Sequence, residues 1–134
     1  MNPIITPLNY SYKKPNEDLW VLNTDDLPID MEKVKDQQLI HFAPGSKGGN
    51  HKHPRTEWFV GFGELLFVWV DEDEKKHQDE MNPNGKIFLF EVPPFLPHVV
   101  INSSKNREAI LFELADSKMS SAEVVQIVAD IQKV

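Results

Sequence analysis

Gly45-Ser46-Lys47-Gly48-Gly49-Asn50-His51-Lys52-His53-Pro54-Arg55-Thr56-Glu57 brings three side chains able to hold a metal into one short stretch, behind a glycine-rich approach. His51 and His53 are two apart, so on a β-strand both imidazoles face the same side, roughly 7 Å apart along the chain. Glu57 would lie roughly 13 Å beyond His53 on a straight strand, so it joins the pair only if the chain turns between them. Pro54 has no backbone N–H to give to a ladder. Pro54-Arg55-Thr56 therefore reads as a turn, with Glu57 opening the returning strand of a hairpin-like corner.

A fourth ligand is available in Pro93-Pro94-Phe95-Leu96-Pro97-His98-Val99-Val100-Ile101-Asn102. Three prolines enforce a rigid bend, and His98 then heads an apolar run suited to a strand. Three imidazoles and a carboxylate suit a divalent transition metal: zinc, iron, manganese or nickel.

Working outward, the segment from Glu57 to Val70 is apolar on both alternations, as expected of strands covered on two faces, with a reversal at Gly63-Glu64. Glu57 at the head of such a run is expected to be buried, and a buried carboxylate calls for a cation. Gln38 to Ala43, Lys86 to Val92, His98 to Ile101 and Glu108 to Ala115 read as further strands, with the third expected to pair with the second. Asp71 to Glu80 is highly charged, lacks the residue pattern of a calcium loop, and reads as a solvated hairpin loop with His77 exposed. Short strands separated by turns of Pro, Gly, Asn and Ser point to an all-β jelly roll. Residues 1–36 are expected to add short strands around Leu19 to Leu22 and to cover a sheet edge or pair with a partner subunit. Ser120-Ser121-Ala122-Glu123 followed by apolar residues at helical spacing predicts a short C-terminal α-helix over 120–133.

The whole chain sets limits. Its 134 residues suit one domain, with the barrel over 37–115. A net charge of −7 argues against non-specific nucleic-acid binding and against an anionic membrane surface. The absence of cysteine leaves metal chemistry to histidines and carboxylates. No secretory or spanning segment is visible, so a cytoplasmic location is expected.

The run from Gly45 to Glu57, with Gly61 and Gly63 beyond it, resembles the first cupin motif. The run from Pro93 to Asn102 resembles the second, except that Phe95 stands where the family usually carries glycine. The likeness implies a cupin-type double-stranded β-helix, a metal held by His51, His53, Glu57 and His98, and a homodimer. Gly49-Asn50-His51-Lys52-His53, Thr56-Glu57-Trp58-Phe59-Val60 and Val92-Pro93-Pro94 look like cupin domains of capsular and surface-polysaccharide assembly enzymes. That implies zinc and an activated-sugar substrate.

The function expected is an isomerase or epimerase acting on a sugar nucleotide in polysaccharide precursor synthesis, with a base in the barrel moving a proton. His41, Glu91 and Tyr12 are candidates for that base, although the preferred reading of His41 is a partly buried structural or supporting histidine. Lys47, Lys52, Arg55 and Arg107 are expected near the mouth to meet a diphosphate. An iron-dependent dioxygenase and a non-catalytic sugar-binding protein are the alternatives.

Overall fold

The computed structural model describes residues 1–118 and 125–126. Its strands are β1 (Ile4–Leu8), β2 (Tyr12–Lys14), β3 (Leu19–Val21), β4 (Asp36–Phe42), β5 (Lys47–Lys52), β6 (Glu57–Phe62), β7 (Leu65–Val70), β8 (Lys76–Glu80), β9 (Ile87–Val92), β10 (His98–Asn102), β11 (Ala109–Ala115) and β12 (Val125–Gln126). They form two antiparallel five-stranded sheets, ordered β1-β9-β6-β11-β4 and β12-β5-β10-β7-β8, beside a small β2–β3 hairpin. This is the jelly roll expected of a cupin-type chain.

The core lies between the sheets. Phe59, Phe90, Val92 and Leu111 from the first sheet pack against Leu65, Phe67, Trp69 and Val100 from the second. The other face of the first sheet is also covered: Trp58, Val60, Leu89 and Leu114 are buried with Leu27, and Leu8, Leu22, Ile29 and Val34 pack beside them. This double covering is why β6 and β9 read as apolar on both alternations. The N-terminal segment thus caps a sheet edge through β1 and shields a face.

Three expectations are corrected. β5 and β6 do not form a hairpin: they lie in opposite sheets, and residues 53–56 carry the chain across the sandwich. β9 and β10 do not pair either, since β9 lies between β1 and β6 and β10 lies between β5 and β7. The proline-rich link between them, which can donate few ladder hydrogen bonds, is likewise a crossing. The charged stretch is a loop only as far as Lys75; Lys76–Glu80 forms β8, an edge strand paired with β7. Charge on an edge is tolerated because it discourages further pairing. His77 is half-buried there, its ring stacked 4.1 Å from that of Trp69.

Of the helix expected over 120–133, Val125–Gln126 is instead a short strand paired with β5, and the remainder lies outside the described residues. No helix among the described residues is long and apolar enough to cross a membrane.

Phe95, which stands where the cupin pattern has glycine, adopts φ +66°. The left-handed turn is therefore kept without glycine, at a cost of about 1–2 kcal/mol. Its backbone N–H donates to the His53 carbonyl at 2.7 Å, while its ring is 54% exposed. Phe95→Gly is expected to stabilise the fold by about 0.5–1 kcal/mol in urea unfolding, the relief of strain being partly offset by a freer unfolded chain. A destabilised glycine variant would show that the ring makes packing contacts worth more than the strain.

Candidate metal and acid–base centre

Two crossings between the sheets deliver the three central side chains. His53 follows β5, Glu57 opens β6 and His98 opens β10, and each is almost fully buried, at 2%, 1% and 2% exposure. Glu57 Oε1 lies 2.8 Å from His53 Nε2 and 3.4 Å from His98 Nε2. His98 is held in place by its neighbours: Nδ1 lies 2.8 Å from the Leu96 carbonyl, and the ring stacks on Phe67 at 5.8 Å. With Nδ1–H donating to that carbonyl, Nε2 presents a lone pair towards Glu57. Two acceptors facing each other require a positive charge between them, either a metal or a proton.

One donor atom from each of His53, Glu57 and His98 lies within 4.8 Å of the others, a grouping able to hold a metal ion. The donor set fits zinc or iron. At bond lengths of about 2.0–2.1 Å, tetrahedral ligands stand roughly 3.3 Å apart. The His98–Glu57 spacing of 3.4 Å already matches this, whereas His53 and Glu57, at 2.8 Å, would have to part slightly. His51 is in β5 directly across from His98 in the ladder, but its side chain lies outside the described structure.

Behind Glu57 sits an ionic network that the sequence did not announce. Arg55, expected at the mouth as a substrate cation, is instead 3% exposed and turned inward. Its Nε and Nη2 donate to Glu57 Oε2 at 3.0 and 2.7 Å, Nη1 donates to Asp36 at 2.9 Å and to the Ser117 carbonyl at 2.8 Å, and Nη2 reaches Glu113 at 3.3 Å. A guanidinium satisfied by three carboxylates has no donor left for a diphosphate.

These contacts set the charge states. Burial alone would raise the Glu57 pKa, but the His53 and His98 imidazoles outweigh it and hold the carboxyl well below its usual range. Glu113 behaves oppositely: burial, reinforced by the negative charge of Glu57, pushes it up to about 7 against the pull of Arg55. One guanidinium shared by three carboxylates leaves the least closely held of them as the natural proton carrier.

A cavity of about 160 Å³ opens onto the centre. Its walls are apolar at Ile40, Phe42, Phe59, Val100 and Leu111, and its rim includes Gly48 and Gly49 of β5. Glu57, His98, Gln38 and Glu113 supply its polar side chains.

None of the three expected proton movers lines this cavity. His41 is exposed and paired with Glu108. Glu91 accepts from Trp58 Nε1 at 2.9 Å on the outer face of the first sheet. Tyr12 lies on the exposed β2–β3 hairpin, at 48% exposure. Strand parity explains Glu91: Phe90 and Val92 turn inward, so the residue between them turns out. Glu113 was overlooked, yet the signal was of the same kind, a single carboxylate inside the apolar strand Ala109–Ala115. Lys47 and Lys52 are the end residues of β5 and do not line the cavity, and Arg107 lies in the turn after β10, at the far end of that strand from His98.

Paired five-stranded sheets with a buried His–Glu–His group where the chain crosses between them define a jelly roll of the cupin type. No protein-family model matches the sequence, and no curated protein matches it. Among solved structures the chain is similar to WlaRA, a TDP-fucose-3,4-ketoisomerase from Campylobacter jejuni, with 19% identity and a TM-score of 0.67 over 99% of this chain and 95% of that one. It is similar also to a dTDP sugar isomerase from Desulfovibrio desulfuricans G20, with 12% identity and a TM-score of 0.75 over 98% and 88% of the two chains. The capsular polysaccharide assembling protein CapF from Staphylococcus aureus aligns with 66% of this chain but only 26% of its own, at 13% identity and a TM-score of 0.58. At these identities the likeness establishes the shared fold.

Proposed function

We propose that the protein is a sugar-nucleotide isomerase or epimerase of polysaccharide precursor synthesis, working on a keto-sugar bound in the cavity beside His98 and Glu57. The observation that carries this reading is an apolar cavity whose polar groups gather at one buried His–Glu–His centre. Similarity to a TDP-fucose-3,4-ketoisomerase and a dTDP sugar isomerase supports the choice of substrate class.

Moving a carbonyl to the neighbouring carbon, or inverting that carbon, needs no external oxidant. A proton leaves the hydroxyl-bearing carbon next to the carbonyl, and the electron pair becomes an enolate on the carbonyl oxygen. Return of a proton to the opposite face of the same carbon inverts it, whereas passage of the hydroxyl proton to the enolate oxygen with protonation of the former carbonyl carbon moves the carbonyl. Negative charge grows on the carbonyl oxygen, so the site must supply positive charge there. His51, His53, Glu57 and His98 are the residues that would hold a zinc ion, which when bound supplies Lewis-acid polarisation of the carbonyl. Arg55 fixes the Glu57 carboxylate in direction through two hydrogen bonds to Oε2. Phe59, Val100 and the other apolar walls exclude water from the carbanion. Glu113 lines the cavity as a group able to move the proton.

A metal-free version of the same chemistry has an observation in its favour. The 2.8 Å separation of His53 Nε2 and Glu57 Oε1 is close enough for an ion pair when the imidazole is protonated. In either form the reading includes a carbohydrate ligand and a cytoplasmic homodimer.

The test is incubation with dTDP-4-keto-6-deoxyglucose in deuterium oxide, followed by NMR. Expected are deuterium at a carbon flanking the carbonyl and a new keto-sugar isomer. Neither signal with this sugar or with its UDP and GDP counterparts would remove the isomerase reading.

A further inference from the structure

We propose that Gln38 and Glu113 form a hydroxyl-recognising wall of the cavity, binding the oxygen substituent next to the sugar carbon held at His98 and Glu57. This rests on the sugar-nucleotide reading above and adds the residues that set its specificity. The two are direct partners across the β4–β11 ladder, so their side chains emerge side by side on one face. Both line the same cavity as Glu57 and His98, in a wall otherwise built from residues such as Ile40, Phe42 and Leu111.

Each has hydrogen-bonding capacity to spare. Glu113 spends one oxygen on a long 3.3 Å contact with Arg55, and its other oxygen makes no hydrogen bond among the described residues. The Gln38 amide, exposed at the mouth, likewise has no side-chain partner among them. An amide offers both donors and an acceptor, and a carboxyl beside it accepts when ionised or donates when protonated. Together they can satisfy both halves of an alcohol group. Arg55 answers only one Glu113 oxygen, which leaves the other on an otherwise apolar wall, where an unmatched acceptor is costly. Sites of this kind discriminate strongly against a ligand that lacks the hydroxyl, because the wall is then left unpaired.

The experiment measures binding of dTDP, dTDP-glucose and its 2-deoxy and 3-deoxy analogues by calorimetry. Wild-type protein is expected to prefer the parent sugar over one deoxy analogue by about ten-fold or more. Gln38→Leu, at an exposed position, is expected to shrink that preference to about three-fold or less while leaving the affinity for dTDP itself unchanged. Glu113→Gln, which keeps the shape and hydrogen-bonding capacity, is expected to retain most of it, and Glu113→Leu to lose it. If wild type discriminates and both leucine variants discriminate equally well, the wall is misassigned while the sugar-nucleotide reading stands. If wild type binds neither dTDP-glucose nor its UDP and GDP counterparts, that reading falls and the wall with it. Equal loss of dTDP and dTDP-glucose affinity in the leucine variants would indicate a general structural role and overturn the proposal.

Discussion

Replacing Arg55 by methionine is expected to cost about 3–5 kcal/mol of folding stability at pH 7. Methionine keeps much of the aliphatic stem, so the loss isolates the guanidinium. Its removal leaves Glu57, Asp36 and Glu113 facing one another without the group that bridges all three. The pH dependence identifies the cause. In the wild type Asp36 is held low chiefly by Arg55, and Glu57 by the two imidazoles, so both add stability above their unfolded values near 4, which is lost as pH falls through the lowered folded values. In the variant the carboxyl pKa values rise, so its stability falls as pH climbs through the carboxylate range. The gap between the two proteins is therefore widest at neutral pH and narrows towards pH 4. Denaturant midpoints at pH 7 and pH 4.5 check this, and a gap of equal size at both would assign the effect to packing.

The second large effect concerns the centre itself. Protein purified without added metal is expected to carry close to one transition-metal ion per chain, and His53→Ala and His98→Ala to bind it at least about 100-fold more weakly, beyond the loss usual for a merely supporting group. Turnover of the keto-sugar is expected to fall by about 100-fold or more in either variant. Elemental analysis beside the NMR assay separates the outcomes. Metal content unaffected by His53→Ala would refute the donor assignment. A metal-free wild type whose turnover still collapses in both variants would place the chemistry on the imidazoles alone.

Much of this could be read from residue order. The apolar runs at Glu57–Phe62, Ile87–Val92, His98–Asn102 and Ala109–Ala115 are strands at those positions. Glu57 is buried, as its place at the head of an apolar run required. Which strand joins which sheet was not legible. Alternation carries that information only when one face is wet, and β6 is covered on both. For the same reason Glu91 and Glu113 look alike in sequence and lie on opposite faces of one sheet. Arg55 misled for a different reason: a cation after proline in a turn resembles a surface group, and its partners Asp36 and Glu113 come from strands remote in the chain. His41 shares sequence parity with His51 and His53, but the turn after Phe42 removes any inference from that parity, and its ring faces outward.

Each of the three buried donors sits where the backbone passes from one sheet to the other. The centre therefore exists only once both layers have closed, and nothing resembling it survives in a fragment or a half-collapsed chain. Anything gripping those atoms works as a rivet through both layers, and its binding free energy adds directly to resistance against unfolding and proteolysis. Loss of the occupant would accordingly be felt first as fragility of the whole molecule, before any assay of turnover is attempted.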